Sequence, residues 1–308
     1  MFRVFLLSIF CCMIVLMEQL LICVVLGLFG LCMGSFAGAM VWRLRARQLI
    51  QDEAEGEKID SKELKRLLPL TKATLTSDRS RCLHCSHVLA WYDLLPLASW
   101  VSVGGKCRYC HKNIGWFEPL MELGVALFFV GSYLLWPETL LTIAQIAHFV
   151  LWLVAGVLLA ILFVYDLKWF LLPDYVIFPL IGVAAVVAAL YVFGSPDIPA
   201  NLLSLLAGVG ILSGLYLLLW VVSKGQWIGL GDVKLGLALA LLLGDWKLAF
   251  IALFAANVIG CIMVIPGMIA GKISRKTHVP FGPLLIIGGV LATLGGQQIL
   301  GWYFSAFL

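Results

Sequence analysis

Charge is scarce in this chain: Asp, Glu, Lys and Arg make up 12% of its 308 residues, about half the share usual in soluble domains. That scarcity excludes an ordinary water-soluble fold. Hydrophobic residues reach 62% and mean hydropathy is +1.04, more apolar surface than one aqueous core can hide, so a lipid bilayer must solvate most of it. The net charge of +4 lies on unevenly placed Lys and Arg, a pattern read by membrane topology and carrying no indication of nucleic acid as a partner. A convincing internal repeat is also missing, which speaks against the inverted-repeat architecture of many transporters.

What is abundant is long charge-free runs. An unpaired charge at mid-bilayer costs about 2.5–3.5 kcal/mol on insertion scales, so runs bounded by charges mark the spans. Residues 19–42, 120–136, 139–165, 175–196, 198–222, 228–244, 248–270 and 281–300 read as eight transmembrane helices. The sixth is the weakest, because its charge-free part, 235–244, must borrow 228–234 to reach crossing length, which brings Asp232 to the membrane. Thirteen of the 21 Lys and Arg fall in 43–118, placing that segment in the cytosol. Alternating the spans from there puts Lys168, Lys224, Lys234, Lys272, Arg275 and Lys276 inside and only Arg3 and Lys247 outside. The fold class is therefore an all-α polytopic membrane protein of about eight transmembrane helices with a small cytosolic domain between the first two. Three parts follow: 1–42, the N-terminal segment and first span; 43–118, the cytosolic domain; and 119–308, the remaining spans.

Arg3 and the apolar run 4–17 look like the start of a signal peptide, but no small-residue cleavage site follows and Glu18 leads into the first span. Initiation at Met17 is the simpler reading. Residues 48–68 mix acids, bases and leucines and read as a solvated helical arm without chemistry. Gly30, Gly34 and Gly38 recur every fourth residue, a spacing that lets helices approach closely.

Nine cysteines divide in two. Cys11, Cys12, Cys23, Cys32 and Cys261 lie in apolar runs, where a free thiol packs as a small hydrophobe. Cys82-Leu-His-Cys85 and Cys107-Arg-Tyr-Cys110, 21 residues apart, match a tetrahedral zinc-thiolate site on the reducing side of the membrane. Four protein ligands leave no open position, so such a zinc is structural. His84, His87 and His111 beside them read as surface residues.

Two acids border the membrane on the same side: Asp166, ending the third span in Val-Tyr-Asp, and Asp232, closing GLGD at 229–232. A lone acid at a helix end is usually a cap or a headgroup-level charge. Paired, two carboxylates can cleave an amide, one activating water while the other, protonated, donates to the carbonyl. Gly229 and Gly231 would let the backbone bend and bring an extended substrate close, making them candidate substrate-binding residues. Asp174, after Pro173, reads as the start of the fourth span.

Taken in order, these motifs resemble the type IV prepilin peptidases, a family of GxGD aspartyl proteases. The resemblance runs from about Gly30 to Leu285. It rests on Gly34-Ser35-Phe36 with Arg43-Leu44, RCLHCSHVLAWYDLLPLASW, GGKCRYCHKNIG, EPLMELG, YDLKWFLLPD, GLGDVKLG and VPFGPLL. It implies that Asp166 and Asp232 are the catalytic pair and that Cys82, Cys85, Cys107 and Cys110 hold zinc. The implied substrates are prepilin-like precursors, cut after a glycine on the cytosolic face of a bacterial inner membrane. It further implies methylation of the new N-terminus by S-adenosylmethionine, although no glycine-rich nucleotide fingerprint marks a donor site. Gly38 stands where the family has Asn, no Pro follows Leu44, and Phe117-Glu118 replaces an Arg-Tyr pair. Two other readings stay open on the residues. One is a different GxGD intramembrane protease, against which stand Pro280-Phe-Gly-Pro283 and the CxxC pairs. The other is a proton-coupled transporter or scaffold.

Overall fold

The computed structural model describes residues 2–71, 79–271 and 279–307, and of residues 2–12, 14, 15 and 307 the backbone alone. The packing reading of Cys11 and Cys12, the side chain of Arg3, and the cations Lys72, Lys272, Arg275 and Lys276 lie outside the described residues. The chain divides into two compact units, Met1–Leu134 and Leu135–Leu308.

In the first unit, α1 runs unbroken over Phe2–Ala54. It passes through the expected span and continues three turns beyond it, because Ala46 and Leu49 on its far end have apolar partners. With Leu64 and Leu67 of α2 (Ser61–Leu67) they form a small core flanked by Trp42, Ile59, Leu70 and Leu83. An Arg45–Glu63 ion pair of 2.9 Å lies beside it, and Asp60 caps α2 by accepting from the Lys62 amide at 2.8 Å. The expected solvated arm is thus a helix, a turn and a second helix, with Leu49 and Leu67 fully buried; burying those leucines outweighs leaving them wet. Short α3 (Ala98–Ser102) and long α4 (Phe117–Leu135) complete the unit. The glycine ridge of α1 packs on α4 so tightly that a Cβ on Gly34 would stand 2.5 Å from the Cα of Glu122, and one on Gly30 2.7 Å from that of Ala126.

The second unit begins with α5 (Ile143–Trp169), opened by a Thr142–Gln145 capping box and ended by Phe170 in the left-handed region. Then come α6 (Asp174–Phe193), α7 (Ile198–Val209), a π-helical turn over Gly210–Gly214, α8 (Leu215–Ser223), α9 (Leu230–Leu243), α10 (Trp246–Ile269) and α11 (Phe281–Phe307). Among the described residues seven helices are long and apolar enough to cross a membrane, with α7, the π turn and α8 forming one of them. The place of the expected sixth span is taken by α9, whose 14 residues cover about 21 Å against a hydrocarbon core of about 30 Å. Its Leu235, Ala238, Leu239 and Ala240 are almost wholly buried among α6, α7, α8, α10 and α11. Protein, rather than lipid, surrounds this short helix, so it need not match the bilayer. The described residues contain no strand beyond two isolated bridges.

Candidate active site

Asp166 sits one turn before the end of α5 and is 6% exposed. Its Oδ2 accepts a hydrogen bond of 3.1 Å from the backbone N–H of Gly282, the second residue of α11, so the carboxylate meets the amide-rich end of a helix, where anions are favoured. Asp232 lies in the first turn of α9, within hydrogen-bonding reach of the Gly229 amide and electrostatic reach of Asp166. Two acids 66 positions apart in sequence come within electrostatic reach of each other because α5 ends, and α9 begins, on the helix framework that α6 and α11 share.

The surroundings explain several motif residues. A Cβ on Gly282 would fall 2.7 Å from Asp166 Oδ2, and one on Gly231 would fall 3.0 Å from Leu172 Cβ. A side chain at 282 would force the Asp166 carboxylate to shift, and one at 231 would press on Leu172. Gly229 is extended, with φ −76° and ψ 150°, and precedes α9. Asp174 does start α6, and its Oδ1 also accepts from Lys234 Nζ at 2.6 Å, pinning α6 to the helix that carries Asp232. Lys234, Gly282 and Leu172 stand around these acids, and the sequence reading did not single them out. For Lys234 and Gly282 the signal was available, as a lone cation inside an apolar segment and a glycine inside Pro280-Phe-Gly-Pro283.

The cysteine cluster belongs to the first unit. The Sγ atoms of Cys82, Cys85, Cys107 and Cys110 all lie within 4.8 Å of one another, close to the edge of about 3.8 Å that four Zn–S bonds of about 2.3 Å would set. The two CxxC turns are built alike. The Cys82 amide donates to His87 O and the Cys107 amide to Lys112 O, at 3.0 and 2.8 Å. Ser86 and His111, each following the second cysteine of its pair, take positive φ of 58° and 55°. Burial works against ionisation at both first cysteines. At Cys82 it prevails and pushes the thiol up to about 12, whereas at Cys107 the amides of Cys110 and Tyr109 prevail and hold it at about 7. Four converging thiols, one of them readily ionised, could hold a metal ion. His84, His87 and His111 are exposed and stand outside the cluster; His87 stacks on Tyr109 at 3.7 Å. Asp93 clamps the second pair: its carboxylate accepts from Arg108 Nε at 3.0 Å and Tyr109 Oη at 2.9 Å. Although burial raises the Asp93 pKa, these donors bring it below the usual carboxylate range.

A cavity of about 250 Å³ opens in the same unit, lined by Ser35, Trp42, Phe117, Glu118 and Glu122 among others. Buried Glu122 accepts from the Leu97 amide at 2.8 Å. The replaced pair, Phe117-Glu118, is taken up by one neighbour: Trp42 packs edge-on against Phe117 at 5.3 Å and donates its indole N–H to Glu118 at 3.3 Å.

Comparison with known proteins matches residues 28–136 to the bacterial peptidase A24 N-terminal domain and residues 153–265 to the type IV leader peptidase family. The prepilin leader peptidase/N-methyltransferase of Aeromonas hydrophila is 30% identical over 291 residues, covering 91% of this chain and 93% of the relative. The Pseudomonas aeruginosa protein of that name is 29% identical over 285 residues, covering 90% and 91%. A type 4 prepilin-like proteins leader peptide-processing enzyme of Escherichia coli is 30% identical over 270 residues, covering 85% and 89%. No solved structure matches. Alike in both halves and along nearly its whole length, the chain belongs to the type IV leader peptidase family.

Proposed function

We propose that this protein is a membrane aspartyl endopeptidase that removes the leader of type IV prepilin-like precursors at the cytosolic face of a bacterial inner membrane, with Asp166 and Asp232 as its catalytic pair. The observation that carries this reading is the fixed Asp166 carboxylate, bonded through Oδ2 to Gly282 N–H, with Asp232 within electrostatic reach. In the proposed reaction the two acids hold one proton between them when the substrate is bound. One takes a proton from water as the water oxygen bonds to the scissile carbonyl carbon, while its protonated partner donates to the carbonyl oxygen. The tetrahedral intermediate then loses the C–N bond as a proton passes to the leaving amine. Because Oδ2 is engaged by Gly282, Oδ1 of Asp166 is the oxygen left to face water. Gly229 and Gly231 offer the extended leader a backbone free of side chains.

The N-methyltransferase in the relatives' names supports a second activity in the first unit, methylation of the new N-terminus. S-adenosylmethionine, when bound, supplies an electrophilic methyl group. In the cavity beside Trp42 and Phe117, Glu118 and Glu122 would face the donor's positive charge, while Arg43, Arg66 and Arg81, which also line it, would meet its carboxylate. Residues 43–118 form a cytosolic zinc-binding module, the four thiolates closing a structural site. Co-expression with candidate pilin precursors tests the protease reading. A shortened product is expected from the wild type, and none from Asp166→Asn or Asp232→Asn, since Asn keeps the shape but cannot share the proton. Near-normal processing by either variant overturns it. Mass spectrometry of the product then shows whether the methyl group is added.

A further inference from the structure

Tyr216, in the first turn of α8, is 3% exposed, and its hydroxyl has no hydrogen-bond partner among the described residues. Buried tyrosines normally bond their hydroxyl, because an orphaned one has lost water without compensation. This one stands near Asp232 and beside Phe281. Its ring packs edge-on against Phe281 at 5.4 Å, the neighbour of the glycine that holds Asp166, and it lies within electrostatic reach of Asp232. The backbone leading to it is also irregular. The π-helical turn Gly210–Gly214 immediately precedes α8, and such turns often mark functional positions. Ser213 Oγ in that turn donates to Val233 O at 3.0 Å, so the segment that aims Tyr216 is fastened to the residue after Asp232.

We propose that Tyr216 is a further catalytic residue, whose hydroxyl donates a hydrogen bond to the scissile carbonyl oxygen of the precursor and to the oxyanion that replaces it in the tetrahedral intermediate. The proposal rests on the aspartyl protease reading. A tyrosine serving only to orient Asp232 would already be bonded to it in the free enzyme, and a tyrosine serving the fold would have a protein acceptor. A donor kept dry and unspent awaits an acceptor that arrives with the substrate, and the oxygen gaining negative charge is the acceptor it would favour most. No proton leaves the phenol: it donates throughout, and the transferred protons remain with the aspartates, the water and the leaving amine.

The test is Tyr216→Phe in the full-length enzyme in detergent, assayed on a precursor peptide with a basic leader, a glycine before the cut bond and an apolar segment after it. Removing a donor that acts only on the developing oxyanion should lower kcat on the order of 10–100-fold with KM within about twofold. The melting temperature should stay equal or rise, because the variant no longer buries an unsatisfied hydroxyl. Affinity for a peptide carrying a hydroxyethylene group in place of the cut bond should fall in parallel with kcat, a change that a packing role would not produce. A kcat within twofold of wild type overturns the proposal. So does a markedly lower melting temperature, which would mean the hydroxyl is already bonded within the fold. The underlying reading fails separately, if Asp166→Asn or Asp232→Asn still cleaves; when both abolish cleavage and Tyr216→Phe does not slow it, only the tyrosine assignment falls.

Discussion

At Gly282 a single hydrogen atom in place of a side chain decides whether Asp166 can be held. Its amide donates to the Asp166 carboxylate, and any Cβ would stand 2.7 Å from the same oxygen, so the residue must give a donor and yield space at once. Gly282→Ala keeps the donor and improves helix propensity, yet forces the carboxylate aside. Displacements near 1 Å at a reacting group cost on the order of 100-fold in rate. We therefore expect Gly282→Ala to cut kcat by about that factor with an unchanged melting temperature, measured as peptide cleavage beside thermal unfolding. Cleavage at wild-type rate would show that the Asp166 carboxylate has freedom to move. Asp174 has a different part at this scale. Its pairing with Lys234, both partly exposed, belongs to the class of ion pairs contributing about 0–1 kcal/mol, and it registers α6 against α9.

Among the elements, two helix contacts depend on backbone proximity. The π turn is pressed on α9, where a Cβ on Gly236 would lie 2.6 Å from Leu212 O, and α1 is pressed on α4 through Gly30 and Gly34. The second contact positions Glu122, since Gly34 faces its Cα, and with it one wall of the cavity in the first unit. Replacing Gly34 by Val should push α1 and α4 apart and destabilise the unit by about 1–3 kcal/mol, the range for overpacking. Methyl transfer should be lost more completely than peptide cleavage, because the aspartates lie on α5 and α9. Parallel assays of both activities check this, and equal loss of the two would refute it. The glycine spacing of α1 was legible as a packing ridge, whereas the ridge's partner helix was not, since periodicity on one helix says nothing about what lies across from it.

On the scale of the whole molecule, the cysteine cluster and the cavity lie in one compact unit and both aspartates in the other. Purified protein should carry one zinc per chain, and Cys82→Ser with Cys85→Ser should abolish it, as read by metal analysis. Because four ligands close a structural site and its binding energy is folding energy, losing the metal should loosen the first unit, abolish methylation and reduce cleavage only in part. Metal-free wild-type protein with full methylation would defeat this prediction.

Composition and one-dimensional pattern alone were enough for much of this protein. Membrane character followed from apolar residues exceeding any aqueous core, the long helices from charge-free runs, the cysteine cluster from two CxxC pairs, and the two acids from their places at the ends of charge-free runs. These are local properties, carried by adjacent residues. Only the tertiary structure decided the rest. The helix carrying Asp232 is short because neighbouring helices enclose it in place of lipid, and the supposed solvated arm is packed because α1 extends past the membrane to meet α2. Asp166 is held by an amide 116 positions away, and a buried tyrosine packs on the residue before that amide's glycine. Each of these depends on which helix stands next to which. That is settled by the packing of glycine ridges and leucine cores across the whole unit, and no single stretch of sequence contains it.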